Sequence, residues 1–234
     1  KGEIPGVKEA MMSDAIAYSF YDFWFFPQKW QEYCDKYLTF ENITKEELQV
    51  FKETFVKLMK ISRYCTTGGD VYLSKNPPHT GRVKALVEMF PNAKFIYLMR
   101  NPYTVFESTR SFFTNTIKPL ELQHISDEEM EKNILLTYTK LYRAYEEQKK
   151  YVPEGNLFEV KFEDFEADAF GTTKLAYEKL GIREFDCAEA AIRQYTDRKK
   201  GYKKNKYEYK PRTIQLVNEN WGYALKDWDY EIHP

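Results

Sequence analysis

The sequence predicts an α/β fold, a parallel β-sheet flanked by helices, and three observations carry that expectation. Strand-like and helix-like segments alternate along most of the chain, as crossover connections between parallel strands require. Lys94–Met99 is a near-continuous apolar run, the pattern of a strand buried inside a sheet. Between Val71 and Ser111 a strand, a turn, a helix, a second strand and a second turn follow one another with little spare sequence.

The elements are justified in order. Residues 1–43 are aromatic and irregular, centred on AYSFYDFWFFPQKW. Thr44 and Glu47 form a capping box for a helix over 44–61, with Leu48, Phe51, Phe55, Leu58, Met59 and Ile61 on one broad face. Gly68-Gly69 turns the chain into an expected strand, Asp70–Leu73. A helix over 80–90 stops at Pro91-Asn92, and Lys94–Met99 is the next strand. Pro102 suits a helix start, where its missing N–H does no harm.

Ser126 and Glu129 open a long helix to about Tyr151, with Ile134, Leu135, Tyr138, Leu141, Tyr142 and Tyr145 inward. Leu157–Lys161 is the third expected strand, and 172–180 is a helix closed by Gly181. Residues 187–196 read as helical. A basic stretch, RKKGYKKNKYEYK, then precedes a last helix from about Pro211. No repeat, low-complexity segment or linker interrupts the chain, so residues 1–234 read as one domain.

Bulk properties narrow the function. A formal net charge of −1, from 35 basic and 36 acidic residues, provides no global field for nucleic acid. Anion binding must therefore be local. The aromatic fraction of 17% suits an apolar ligand pocket, a large core or an interface equally. Cys34, Cys65 and Cys187 are widely spaced, which suggests reduced thiols in the cytoplasm over a disulfide framework or zinc site. The sequence shows neither a signal peptide nor an apolar run of membrane-spanning length. No metal-ligand spacing occurs, and neither His124 nor His233 belongs to a recognisable constellation.

Two cations stand out. Lys75 follows the first expected strand and Arg100 the second, at the sheet edge where open parallel sheets bind ligands. An arginine fork suits phosphate oxygens. Ser108, on the helix that follows, can share such an anion if the turn folds back. The structural alternatives are an arginine paired with a carboxylate, a serine on a solvated helix face and a surface lysine.

With its RNPYTVFES motif from Arg100 to Ser108, the chain resembles sulfotransferases that use 3′-phosphoadenosine-5′-phosphosulfate, in particular the bacterial and Golgi-type branch. The likeness runs from the aromatic N-terminal region to the final WGY at Trp221–Tyr223. It implies a P-loop-like fold, with Arg100 and Ser108 on the 3′-phosphate. Lys75, in SKNPPHTG, is implied to face the transferring sulfuryl group. Arg198, Lys199, Lys200 and Gly201 are loosely similar to the family's basic loop over the same phosphate; otherwise they form a solvated charge run.

LFEVKFEDFEAD resembles a third family motif usually written with Tyr-Glu-Asp, but Phe162 stands at the tyrosine position and removes that hydroxyl. Glu163 and Asp164 read as structural or helix-start carboxylates. The family's glycine-rich 5′-phosphosulfate loop has no counterpart here. It precedes the aromatic region in the family, so the resemblance implies that its strand and loop lie upstream of Lys1. The proton acceptor it suggests is Glu9, which could equally be an exposed loop glutamate, with His79 as second choice.

The implied activity is sulfuryl transfer, without a metal, to a small-molecule hydroxyl acceptor. The aromatic segment Tyr18–Trp30 leans towards a lipid, sterol or aromatic alcohol. A non-catalytic nucleotide-binding or interaction module is the alternative. A nucleotide kinase-like protein is disfavoured because no GxxxxGK[ST] motif occurs.

Overall fold

The computed structural model describes residues 21–65, 71–183, 185–199 and 208–234. The chain begins there as a broken helical run: α1 (Asp22–Phe25), a 3₁₀ turn at Pro27–Lys29, α2 (Trp30–Tyr33) and a π-helical turn at Cys34–Leu38. The irregular segment expected here is therefore helical between its interruptions. Phe23, Trp30, Cys34 and Leu38 point into the core, and Pro27 breaks the ladder between the first two.

Helix α3 (Lys45–Cys65) starts on the complete Thr44–Glu47 capping box, with reciprocal bonds of 3.2 and 3.1 Å. After a 3₁₀ turn at Pro77–Gly81 come α4 (Val83–Met89), β1 (Phe95–Met99) and α5 (Pro102–Phe112). The long α6 (Asp127–Gln148) is capped by Ser126, whose hydroxyl accepts from the Glu129 N–H at 3.1 Å. Then follow β2 (Leu157–Lys161), α7 (Phe162–Ala167), α8 (Ala169–Leu180), α9 (Phe185–Lys199) and α10 (Pro211–Asp227). Gly181 closes α8 in the left-handed region at φ 61°, where a side chain would be strained.

Among the described residues the sheet has two strands, β1 and β2, parallel and in register from Phe95 opposite Leu157 to Met99 opposite Lys161. The strand expected at Asp70–Leu73 is not formed over its described part. Val71 and Leu73 are 83% and 86% exposed and join no ladder, so apolar character alone does not make a strand without a neighbour to pair with. One face of β1 is covered, where Tyr97 stacks on Tyr145 of α6 at 3.7 Å. Ile96 and Leu98 on the other face remain exposed, so β1 is not sandwiched as its sequence suggested.

The main core lies where α5, α6 and α10 meet. Tyr103, Phe106, Val217, Trp221 and Leu225 are fully buried there. Trp221 stacks on Tyr138 at 4.0 Å, and its indole N–H donates to the Leu135 carbonyl at 3.0 Å. Beyond α10, residues 228–234 turn back as a strap across the start of α5: the Asn218 amide donates to the His233 carbonyl and the His233 N–H to the Tyr103 hydroxyl. No helix among the described residues is long and apolar enough to cross a membrane.

Candidate active site

The site is built at the corner where β1 leads into α5. Asn101 caps α5, its side-chain oxygen accepting from the N–H groups of Tyr103 at 3.0 Å and Thr104 at 3.4 Å. Pro102 occupies the first helical position, where its fixed φ favours the helix. Arg100 is thereby held between a strand end and a rigid cap.

The parallel register places Phe162, the residue after β2, beside Arg100, the residue after β1. The guanidinium carbon lies 4.6 Å from the centre of the Phe162 ring. Arg100 makes no ion pair with any described residue. The nearby Glu163 carboxylate is engaged elsewhere: one oxygen accepts from the Asn101 N–H at 3.1 Å and the other from the Tyr230 hydroxyl at 2.7 Å. The structural alternative for Arg100, pairing with a carboxylate, is thus not adopted among the described residues.

Ser108 lies on the same face of α5 as Asn101 and Thr104, by the three-to-four-residue repeat of the helix. Its hydroxyl is partly exposed and has no hydrogen bond to a described residue. One turn back, Thr104 shares a hydrogen bond of 2.6 Å with the hydroxyl of Tyr209. Tyr209 is the penultimate residue of the basic stretch, so this contact brings the end of that stretch to the Ser108 face.

Behind this face α5 is fixed by a charged network. Arg110 bonds Glu107 at 2.6 Å and Glu131 of α6 at 3.4 Å, Arg212 of α10 reaches Glu131 at 2.7 Å, and the Thr213 hydroxyl donates to Glu107. The carboxylates are largely buried, and each is satisfied by more than one donor.

Lys75 stands apart. Its side chain is exposed, without an ion pair or hydrogen bond to a described residue. The following turn is held by the 3₁₀ bond from the His79 N–H to the Asn76 carbonyl at 2.9 Å and by Ser74 Oγ against His79 Nε2 at 3.0 Å. Burial, then the nearby Arg82 charge, lower the His79 imidazole to about 4, so it is neutral at physiological pH. Arg82 is buried, donates to the Tyr37 carbonyl and lies against the rings of Phe40 and Phe51 at 4.8 and 5.1 Å. His79 Nδ1 is buried without a partner, which makes the Nε2–H tautomer, donating to Ser74, the consistent one.

The chain belongs to the sulfotransferase family. The profile of that family matches residues 15–186, which include Lys75, Arg100 and Ser108. The omega-hydroxy-beta-dihydromenaquinone-9 sulfotransferases Stf3 of Mycobacterium bovis and Mycobacterium tuberculosis are each 31% identical over 211 residues, 89% of this chain. The chain spans 53% of the length of either relative. No solved structure gives a significant match.

In this member of the sulfotransferase family Arg100 stands just before α5, and Ser108 and, through Tyr209, the end of the basic stretch lie along its first two turns. No described contact joins them to Lys75 or His79. Arg198 lies exposed near the end of α9, its Nε donating to the Gln194 carbonyl at 3.2 Å. Glu9, Lys200, Gly201 and the Lys199 side chain lie outside the described residues. The aromatic segment divides: Phe23 and Trp30 are core, whereas Tyr21, Phe25 and Phe26 are exposed, and Tyr18 lies outside the described residues. Two clefts beside α3 are lined by neither Arg100, Ser108 nor Lys75. Among the described residues no cluster of three or more His, Cys, Asp or Glu is arranged to hold a metal.

Sequence reasoning missed the contacts of Phe162, Glu163 and Tyr230. A signal was present for the first: Arg100 and Phe162 each immediately follow an apolar strand, and a parallel register sets such residues side by side.

Proposed function

We propose that this sulfotransferase moves a sulfuryl group from 3′-phosphoadenosine-5′-phosphosulfate to the hydroxyl of a lipophilic small molecule. The observation that carries the nucleotide assignment is the state of Arg100. It is a partly exposed guanidinium on an aromatic ring at a strand end, with no described carboxylate partner and with a serine hydroxyl on the adjoining helix face. Such a fork and hydroxyl fit a phosphate monoester.

In this reading Arg100 and Ser108 hold the 3′-phosphate, and Arg198, Lys199, Lys200 and Gly201 add positive charge and backbone donors. The acceptor oxygen forms a bond to sulfur as the bond from sulfur to the 5′-phosphate oxygen breaks. Lys75 offsets charge on the departing phosphate, by the logic of phosphoryl transfer. The acceptor's proton passes to a base, for which Glu9 is the candidate. For His79 to act instead, it would have to release Ser74 or accept through the buried Nδ1. No residue role proposed here calls for a metal ion.

The acceptor class rests on the two relatives, which are named for a hydroxylated menaquinone. The exposed rings of Tyr21, Phe25 and Phe26 suit an apolar substrate. The free thiols of Cys34 and Cys187 fit a cytoplasmic setting.

The test is thermal denaturation of the whole protein with and without 3′-phosphoadenosine 5′-phosphate. The nucleotide should raise the melting temperature, and Arg100→Ala should abolish the rise. An unchanged rise in Arg100→Ala would sink the site assignment. Incubation with labelled donor then separates enzyme from binding module: label should pass to a hydroxylated prenylquinone in preference to a free sugar. Nucleotide binding without transfer to any hydroxyl would favour the non-catalytic alternative.

A further inference from the structure

An acidic side chain that could neutralise Arg100 lies one residue beyond the ring that supports its guanidinium. Glu163 follows Phe162, whose ring lies under the guanidinium, and its carboxylate already holds the N–H of Asn101, the residue next to Arg100. No ion pair forms between Glu163 and Arg100. The second carboxylate oxygen is taken by the Tyr230 hydroxyl at 2.7 Å.

We propose that Phe162, Glu163 and Tyr230 are positioning residues that keep Arg100 available for an anion. The Phe162 ring supports one face of the guanidinium and leaves its N–H edge for a ligand. Glu163 fixes the backbone of the Arg100 corner. Tyr230 satisfies the oxygen that would otherwise seek the nearest cation. The inference rests on the reading of Arg100 as the phosphate-binding arginine.

Three observations support it. Burial, and then the Glu163 carboxylate, hold the Tyr230 hydroxyl well above its ordinary range, so it is a protonated donor under all physiological conditions. The strap that carries Tyr230 is pinned independently: the Lys161 ammonium donates to the Asp229 carbonyl at 3.2 Å and lies 4.9 Å from the Tyr230 ring, while His233 is tied to Tyr103 and Asn218. The hydroxyl is therefore presented to Glu163 by a packed segment. Phe162, finally, lacks any hydroxyl, so its ring face is what it offers the corner.

The experiment is calorimetric titration of the whole protein with 3′-phosphoadenosine 5′-phosphate. Tyr230→Phe removes one oxygen and keeps the ring, so the strap stays packed. Affinity should fall about tenfold, the scale of one hydrogen bond to a charged group, because the released carboxylate turns to Arg100. Adding Glu163→Gln to Tyr230→Phe should restore affinity to within about threefold of the parent, since the amide keeps the Asn101 bond and carries no charge.

Rescue by Glu163→Gln is the readout that a merely structural Tyr230 would not give. Equal weakness in the single and double variants overturns the proposal, and so does unchanged affinity in Tyr230→Phe. Arg100→Ala is titrated in parallel. Its failure to weaken binding would overturn the site assignment itself, whereas loss of binding in Arg100→Ala with no Tyr230 effect overturns only the positioning role.

Discussion

Arg100 leaves a hydrogen-bonded parallel ladder and enters a capped helix of 11 residues, backed by a charged network and by the packed core. Lys75 leaves an exposed, unpaired segment and enters one 3₁₀ turn begun by two prolines. Both are cations beside a turn that leads into a helix, and the sequence treats them alike. The structure spends many interactions on holding the first and few on the second. An anchor for a stationary phosphate needs that rigidity, because every ångström of play weakens a bidentate contact. A cation that meets charge only as a bond breaks can be supported from fewer sides. The contrast suggests a division between binding and transfer.

Four experiments would break or sharpen that contrast. The largest effect should come from the core beneath the rigid corner. Phe106→Ala should cost about 3–5 kcal/mol in urea denaturation, the usual loss for a buried phenylalanine. A loss below about 1 kcal/mol would mean that α5 is not held as its burial implies.

Next come the cations themselves. Arg100→Ala should weaken nucleotide binding about 100-fold with little change in the melting temperature of the unliganded protein, since the lost contacts are to ligand. Lys75→Ala should leave nucleotide affinity within about threefold while kcat falls at least about tenfold. If Lys75→Ala weakens binding as much as Arg100→Ala does, the proposed division of labour is wrong.

The third is a pH dependence confined to the Lys75 turn. Folded His79 resists protonation until about pH 4, whereas the unfolded chain takes up that proton near the ordinary imidazole value of 6.5. Stability is thus full above pH 6.5 and is lost as the pH falls from there towards 4. The loss should be on the order of 2–3 kcal/mol, and His79→Gln should remove most of this slope. The smallest effect belongs to the α5 cap, where Asn101→Ala should cost about 1 kcal/mol. That variant should weaken the nucleotide more than any change at Asn76, which caps nothing with its side chain.

Much of this fold can be read along the chain because its signals are local. Thr44 with Glu47, Ser126 with Glu129, and Gly181 mark helix ends by hydrogen bonds spanning a few residues. Leu157–Lys161 announces itself by composition and Arg100 by its motif. Other features depend on partners far along the chain. Tyr230 meets Glu163 across 67 residues and Tyr209 meets Thr104 across 105, with no pattern in either segment to announce the contact. Val71–Leu73 misleads for the opposite reason: its local character is strand-like, but no described segment pairs with it. Phe162 was legible as a missing hydroxyl, whereas its position under Arg100 needed the register of β1 against β2.

That register also guards against error. A slip of β2 by one residue in one direction would set Glu163 beside Arg100, and the anchor would be quenched by its own chain. A slip in the other direction would set Lys161 there, and two cations would repel. The native alignment presents a neutral ring instead. On the proposed reading of Arg100, the anion corner is therefore complete only when β2 is paired with β1 in this register.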